Sequence, residues 1–391
     1  MRGRRLGMIR HTRTMRDSRF DLLRIIAMLA ILTCHFTKYM PWRLQEMPGK
    51  LGICAILVDK VLGQLGVALF LFLSGWLLCD KVFQPRRVIR IIIETWCCSA
   101  LVLVLTLTLR SQLSGVFISI AEMLSNGKQY QTILVSLMPL TKGVYWYVNA
   151  YVALLLCTPI LNRIGQNQRL TRITIAILLV IMNLHLLMPS MRFYNNLTYV
   201  IFLYMLGVYL KQTDAREPIG RPVQVFLCLV CISFVVGFIY LCSTENWISS
   251  YFGWNDQFLY GLIPWAPAYV AMTLFRWIYR CDALKEALNR YSVLLKSGST
   301  ATFGVYLLHQ QPLIRSMLFE AVGDFCKMPD NRLHLVVELA FLIFVSYAVL
   351  TFVVIVVDKL FFRLLVARMT GFVDEIIRRA MRRTALMNWL E

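Results

Sequence analysis

Acidic residues are scarce in this chain: 21 Asp and Glu stand against 41 Lys and Arg, and all charged residues together make up only 16%. Apolar residues make up 58%, in runs near or above the roughly 20 residues needed to cross a bilayer. The formal charge of +20 would suit nucleic acid, but the basic residues stand in short blocks between the apolar runs, where they act as topology signals. The composition therefore indicates a polytopic protein of the lipid bilayer and argues against a nucleic-acid partner.

Three further patterns are missing. A disulfide framework and a zinc site are not expected, because most of the eleven cysteines lie inside apolar runs, as Cys97-Cys98 and Cys228-x-x-Cys231 do, where we expect small packing residues. No small-residue cleavage site follows the first apolar run, so we expect basic residues 1–19 to be retained ahead of a signal anchor, with Met1, Met8 or Met15 as the start. No linker to a second soluble domain is visible.

The apolar runs between charge clusters predict an all-α membrane bundle of about ten transmembrane helices. They are Phe20–Met40, Val61–Cys79, Ile91–Leu109, Val144–Ile164, Ile173–Met188, Leu197–Leu210, Val223–Cys242, Phe258–Tyr279, Thr300–Phe319 and Leu335–Val357. The segment from Ile118 to Leu140 is ambiguous between a span and an interfacial or re-entrant segment.

The basic residues predict the orientation of these helices. When loops are assigned to alternate sides, 29 of the 41 Lys and Arg fall on one side and 11 on the other, with Arg24 inside the first span. Because short cytoplasmic loops retain positive charge, both termini are predicted to be cytoplasmic and the chain to be a multi-pass protein of the cytoplasmic membrane. The chain then divides into a basic segment 1–19, a transmembrane domain 20–365 and a tail 366–391.

The tail is predicted to form a basic amphipathic helix on the inner leaflet. Its apolar positions are Phe372, Ile376, Ile377 and Met381, and its basic positions are Arg378, Arg379, Arg382 and Arg383.

The first span carries three ionisable residues, Asp21, Arg24 and His35. Arg24 and His35 are eleven positions apart, which returns to within about 20° of the same helix face, and Asp21 lies one turn before Arg24. A charge at mid-bilayer costs about 2.5–3.5 kcal/mol, so this stripe should face a bundle interior or a watery cavity. Structural roles are also open for two of these residues. Asp21 could pair with Arg24 or begin the helix, and Arg24 could be a snorkelling anchor. His35 is typical of a general base.

The third span begins with "QPRRVIRIIIETW", where Arg87 and Arg90 are three residues apart and Glu94 follows Arg90 by four. Two guanidinium groups presented together suit a phosphate-bearing ligand, because each donates paired hydrogen bonds to oxyanions. Ordinary positive charge of a cytoplasmic loop is the alternative interpretation, and it explains any single arginine here.

Two polar or aromatic stretches follow. Trp146, Tyr147 and Tyr151 open the fourth span, where an interfacial aromatic belt or carbohydrate stacking explains them. His309 lies mid-span before "QQP", which predicts a kinked helix that is polar on one side. A structural role for His309, bonded to a neighbouring helix, and a catalytic or substrate-binding role are all open at this point.

The chain resembles the integral membrane acyltransferase 3 family. The resemblance is carried by "RFDLLRIIAMLAILTCHF", with an arginine, ten residues and a histidine, and by the Arg-x-x-Arg of "RRVIR". "FLFLSGWLL" and "GVYLLHQQPLI" extend it over most of the chain. It implies a ten-helix acyltransferase domain over 20–365 that takes an acyl group, usually acetyl, from coenzyme A and passes it to a hydroxyl of a lipid-linked or cell-surface glycan.

The resemblance also implies residue roles. His35 corresponds to the family's essential histidine, Arg24 to the arginine of the same motif, and Arg87 and Arg90 to the Arg-x-x-Arg pair. The arginines would then hold the phosphates of acetyl-coenzyme A, while His35 acts as a general base or carries the acyl group itself. Asp21 and Glu94 are the carboxylates available to orient a partner, and the sequence leaves that choice open.

Two other classes of protein compete with this interpretation. A proton-coupled transporter or exporter of a small solute or glycan would also place a histidine and buried charges in a bundle, but no matching pair of broken helices is visible in the two halves. A binding or sensor module without chemistry is the third alternative. Substitution of His35 distinguishes the three, because only an acyltransferase would lose thioester turnover.

Overall fold

The computed structural model describes residues 16–47, 49–125, 127–184, 194–216, 219–243, 265–326, 328–329 and 331–383. Every regular element in these ranges is helical, which confirms the all-α prediction for them. Most of the basic segment 1–19, including the possible starts Met1, Met8 and Met15, lies outside the described residues, as do 258–264 of the eighth predicted span and 384–391 of the tail.

The helices are numbered here in chain order over the described residues. The first ten are α1 Ser18–Tyr39, α2 Lys50–Leu78, α3 Pro85–Thr108, α4 Arg110–Val116, α5 Ile118–Met123, α6 Lys128–Leu137, α7 Trp146–Ile164, α8 Gln168–Asn183, α9 Asn196–Gln212 and α10 Arg221–Ser243. The others are α11 Trp265–Tyr279, α12 Asp282–Asn289, α13 Ser292–Gln310, α14 Pro312–Phe325, α15 Arg332–Val357 and α16 Arg363–Arg383. We call the Ser18 end of α1 the inner end of the bundle and the Tyr39 end the outer end.

Six of the described helices are long and apolar enough to cross a membrane, namely α1, α2, α3, α7, α10 and α15. On α15 the side chains of Phe341, Phe344 and Phe352 are exposed, as expected of a helix that faces lipid. Three further predicted spans correspond to the shorter helices α8, α9 and α11, and the ninth is divided between α13 and α14. The chain is therefore a multi-pass membrane protein, and the total of ten spans stays a prediction.

The ninth predicted span is broken completely. Helix α13 ends at Gln310, Gln311 is extended, and α14 begins at Pro312, which has no backbone N–H to bond within a helix. The Gln311 side chain accepts hydrogen bonds from the backbone N–H groups of Leu313 (2.7 Å) and Ile314 (3.2 Å), so it satisfies donors that the new helix leaves open. The kink predicted from "QQP" is confirmed as a break at Gln311, two residues after His309.

The ambiguous segment from Ile118 to Leu140 contains the short helices α5 and α6. The hydroxyl of Ser99 on α3 donates to the Ser136 carbonyl (2.8 Å), and the Gln311 amide donates to the Ser136 hydroxyl (3.3 Å). Glu320 on α14 accepts from the backbone N–H groups of Ile118 (2.6 Å) and Ser119 (3.0 Å). The segment is thus tied to α3, to Gln311 at the break and to α14.

Helices α1 and α2 form the centre of the bundle, and α9, α11 and α13 pack around them. Gly66 permits the α1–α2 contact, since a Cβ there would lie 2.5 Å from the Ala27 carbonyl oxygen. Gly75 and Gly207 do the same where α2 crosses α9: a Cβ on Gly75 would lie 2.9 Å from the Val208 nitrogen, and one on Gly207 would lie 2.8 Å from the Phe72 Cα. The glycine of "FLFLSGWLL" is therefore a packing residue.

Gly207→Ala should destabilise the protein, because the added methyl group meets helix backbone that cannot rotate away. Overpacking of this kind costs about 1–3 kcal/mol. Melting of the detergent-solubilised protein, followed by size-exclusion chromatography, measures the loss. Gly237→Ala on α10 is the matched control, since nothing lies within 4 Å of a Cβ there. Equal melting temperatures for the two variants would contradict the close crossing.

The tail helix α16 packs on α3. Its residues Val366, Met369, Val373 and Ile377 contact a face of α3 formed by Ile89, Ile93 and Cys97. Phe372 and Ile376 stay 67% and 50% exposed. The predicted apolar face is thus divided: Ile377 packs on the bundle, whereas Phe372 and Ile376 remain available to a leaflet. The side chains from 380 onward lie outside the described part.

Candidate functional site

The inner end of α1 carries a buried carboxylate that is fully engaged. Asp21 is 2% exposed and accepts hydrogen bonds from the Arg24 Nη1 (3.0 Å), the Ser299 hydroxyl of α13 (2.6 Å) and the Arg16 Nε (2.9 Å). Arg16 also donates to the Ser299 hydroxyl (2.9 Å). Asp21 therefore fixes Arg24 and joins α1 to α13, as in the pairing interpretation.

A cavity of about 410 Å³ opens beside this cluster, between α1, α2, α3, α7 and α13. Its lining side chains are Arg24, Ile31, Phe70, Leu73, Ser74, Leu77, Leu78, Arg87, Ile91, Tyr147, Tyr151, Ser299, Thr300, Thr302, Phe303 and Tyr306. Arg24 and Arg87 come from the inner ends of α1 and α3, whereas Ile31 and Tyr306 lie farther out. The cavity is thus cationic at its inner end and apolar or aromatic beyond.

The two arginines of the Arg-x-x-Arg pair have different surroundings. Arg87 lines the cavity, whereas Arg90 is 63% exposed and pairs with Glu94 at 3.6 Å. A smaller recess next to the cavity shares Leu78 and Arg87 with it and adds Lys81. Positive charge at the inner mouth therefore comes from Arg24, Arg87 and the nearby Lys81, with Arg90 and Glu94 to one side.

Only some of the aromatic side chains at the start of α7 line the cavity. Tyr147 and Tyr151 line the cavity with their rings stacked 5.9 Å apart, and the Tyr151 hydroxyl accepts from Ser74 at 3.3 Å. Trp146 is not among the lining residues and meets Tyr147 edge to face at 6.0 Å. The tyrosines thus share one cavity with the arginines of α1 and α3.

His35 faces the bundle interior and meets His309 across the α1–α13 contact. His309 Nδ1 lies 2.7 Å from the Val305 carbonyl, which only accepts, so this nitrogen carries a hydrogen. Neutral His309 then accepts at Nε2, 2.9 Å from His35 Nδ1, which must be the donor. The unprotonated nitrogen of His35 is consequently Nε2, and the Gln310 amide nitrogen lies 2.8 Å from it and 3.0 Å from Nδ1.

The histidine pair lies just beyond the outer end of the cavity. Neither histidine is among the lining residues, and His309 is fully buried. Ile31 lies one helical turn before His35, and Tyr306, whose ring is 5.8 Å from that of His309, lies one turn before His309. Both line the cavity, so its outer end lies about one helical turn from each histidine. The polar stripe of α1 runs from the Asp21 cluster to the histidine pair and faces α13 at both places. Asp21 contacts Ser299, and His35 contacts His309.

Four residues of this site were not singled out as site residues from the sequence: Arg16, Ser299, Tyr306 and Gln310. Gln310 carried the clearest signal, since it follows His309 in a polar run inside an apolar span. Ser299 carried none, because a serine near a helix start is common and its partner Asp21 is 278 residues away.

Comparison with known proteins gives one match. A family model described as an acyltransferase domain, that of the acyltransferase 3 family, matches residues 17–357. No curated protein matches the chain. No solved structure matches it either.

Proposed function

Because the chain belongs to the acyltransferase 3 family, we propose that it moves an acyl group, with acetyl expected, from acyl-coenzyme A to a hydroxyl of a lipid-linked or cell-surface glycan. The family and the apolar helices make the chain a multi-pass membrane acyltransferase. One observation carries the finer proposal: a cavity with two arginines at its inner end stops one turn short of a histidine whose Nε2 is free of hydrogen.

The cavity suits the thin arm of coenzyme A. Its volume lies within the usual range of ligand pockets, about 300–1,000 Å³. Arg24 and Arg87 would bind phosphate oxygens at the inner mouth, with Lys81 in the adjoining recess, and the apolar remainder would enclose the pantetheine chain. Ile31 and Tyr306 would turn aside to bring the thioester to His35. This use of the cavity requires the inner end to face the cytoplasm, in line with the predicted orientation.

His35 would act as the general base. Its Nε2 takes the proton of the acceptor hydroxyl while that oxygen forms a bond to the thioester carbonyl carbon. The carbon–sulfur bond then breaks, and His35 returns the proton to the departing sulfur. Gln310, whose amide nitrogen lies 2.8 Å from Nε2, would give up this position to the acceptor hydroxyl. His309 would hold the His35 ring and stabilise its charged form.

The other predicted residues receive narrower roles in this proposal. Asp21 positions Arg24 and does not reach His35, since it lies at the inner end. Glu94 neutralises Arg90. Tyr147 and Tyr151 would contact the donor's acyl arm or the acceptor from within the cavity, and Trp146 would support the Tyr147 ring.

Mass spectrometry of surface and lipid-linked glycans tests the proposal. Cells that express the wild-type chain should show glycans heavier by one acyl group, and cells without the gene or with His35→Ala should lack it. Purified protein in nanodiscs should bind acetyl-coenzyme A in both forms. Glycans of identical mass in all three strains, together with no binding of acetyl-coenzyme A, would refute the function.

A proton-coupled transporter remains the second candidate, and the break at Gln311–Pro312 beside two histidines is the observation in its favour, since transporters use broken helices at their binding sites. Solute flux into vesicles distinguishes it. A transporter would move solute without consuming thioester, whereas the enzyme would release free coenzyme A in proportion to glycan acylated.

His309 should act on the reaction through His35. His309→Leu removes the acceptor for the His35 Nδ1 hydrogen, so the ring can rotate or change tautomer, and turnover should fall about 10- to 100-fold with little change in the KM for acyl-coenzyme A, as expected for the loss of one hydrogen bond to a group that becomes charged. His309→Gln keeps a side-chain acceptor and should recover part of the loss. Steady-state kinetics of both variants checks this. Equal losses for Leu and Gln would mean that His309 only fills space.

A further inference from the structure

Two cations meet one tyrosine ring at the outer end of α1. The Arg315 guanidinium of α14 lies 4.6 Å from the centre of the Tyr39 ring, and the Lys38 ammonium lies 5.8 Å from it. Arg315 Nη1 also lies 3.4 Å from the Tyr39 hydroxyl. Attraction between a cation and an aromatic face holds such groups in place without neutralising them.

This basic cluster of Lys38, Tyr39 and Arg315 adjoins the histidine pair. The Tyr39 ring is 5.7 Å from that of His35, and Tyr39 lies one helical turn after His35 on α1. The cluster therefore lies on the opposite side of His35 from the cavity, one turn farther toward the outer end on α1.

Neither Lys38 nor Arg315 forms an ion pair with a carboxylate in the described part of the chain. Glu320, which is also on α14, is engaged by the N–H groups of Ile118 and Ser119. Arg315 is half-buried, and the fork of donors on its guanidinium matches the geometry of a phosphate or a carboxylate.

We propose that Arg315 and Lys38 bind an anionic group of the acceptor, a phosphate or a carboxylate, and so hold the acceptor hydroxyl at His35. The inference rests on the proposed function and adds the substrate class: the acceptor carries negative charge near the hydroxyl that is acylated. A phosphate would come from the lipid carrier of a lipid-linked sugar, and a carboxylate from an acidic sugar. Donor and acceptor would then approach His35 from opposite ends of the bundle.

Binding to the purified full chain in phosphatidylcholine nanodiscs tests this. The probes are a sugar phosphate on a short isoprenyl chain, glucuronic acid and neutral methyl glucoside, titrated with acetyl-coenzyme A present and His35 replaced by Ala, so that no turnover occurs. One anionic probe should bind at least about tenfold more tightly than the neutral one. Arg315→Gln and Lys38→Gln should each remove most of this preference. The probe that binds identifies the source of the charge, carrier phosphate or acidic sugar.

Arg332→Gln is the matched control, since Arg332 is an exposed arginine at the start of α15 and belongs to no part of the cluster. The proposal is overturned if anionic and neutral probes bind alike, or if Arg315→Gln changes binding no more than Arg332→Gln does. It is also overturned if phosphatidylglycerol nanodiscs alone produce an Arg315-dependent stabilisation that no sugar probe produces, because Arg315 would then be a lipid anchor. Since binding is read without turnover, this failure is distinct from loss of acyl transfer, which the glycan masses report.

Discussion

His35→Ala should abolish acyl transfer while acyl-coenzyme A still binds. The phosphate-holding groups Arg24 and Arg87 lie at the other end of the cavity, so removal of the imidazole leaves them in place. A positioned general base contributes about 10²- to 10⁴-fold to a rate, and the variant should lose at least that much. Release of coenzyme A from acetyl-coenzyme A in nanodiscs, with an extract of cell glycans as acceptor, measures the loss.

His334→Ala is the control for this variant. His334 is 70% exposed, lies 3.7 Å from Glu338 and is not among the residues that line the cavity, so its loss should leave the rate unchanged. A His35→Ala protein that melts normally, binds donor and retains full turnover would refute the role of His35. Acid quenching of wild-type protein with labelled acetyl donor separates the two chemical routes: label retained on His35 would favour a covalent carrier over a base.

Arg87→Ala should weaken acyl-coenzyme A binding far more than Arg86→Ala. The two arginines are adjacent in sequence, but Arg87 lines the cavity whereas Arg86 is exposed and does not. A hydrogen bond to a charged group contributes about 1.5–3 kcal/mol, so the Kd should rise about 10- to 150-fold for Arg87 and stay within about twofold for Arg86. Isothermal titration of coenzyme A into nanodiscs measures both.

The same titration compares the effect of Arg90→Ala on coenzyme A binding with the effects of the other two arginine variants. Because Arg90 is exposed and pairs with Glu94, Arg90→Ala should resemble Arg86→Ala more than Arg87→Ala. Titration of dephospho-coenzyme A shows which phosphate is held: if Arg87 binds the 3′-phosphate, the penalty of Arg87→Ala disappears with this ligand. Equal effects at all three arginines would show that only general positive charge matters and that the cavity does not hold the donor.

Part of the site followed from periodicity within a single helix. The eleven-residue interval from Arg24 to His35 predicted a common face, and the structure places Asp21 and His35 against Ser299 and His309 of one helix, α13. The break after His309 followed from Pro312, since proline cannot continue the backbone hydrogen bonding of a helix. Such predictions hold because the backbone geometry of one segment decides them.

Other features depended on how helices rotate against one another. Arg87 and Arg90 are three residues apart, and spacing alone placed them together. The face of α3 formed by Ile89, Ile93 and Cys97 packs on α16, and this turns Arg87 toward the cavity and Arg90 away. Trp146 and Tyr147 are neighbours in sequence, but only Tyr147 lines the cavity, since the rotation of α7 decides which side chains face it.

The sequence by itself determined that this is a helical membrane protein with a polar stripe on its first span, because apolar length and helical period are local properties that burial in lipid demands. Only the tertiary structure decided that His309 is the partner of His35, that Ile31 and Tyr306 line one cavity, and that Arg315 meets Tyr39. Each of these pairs joins residues more than 270 positions apart, which meet only because the helices pack closely in the bundle. Close packing depends on many weak contacts between segments that are distant in sequence, so a local sequence pattern does not predict it.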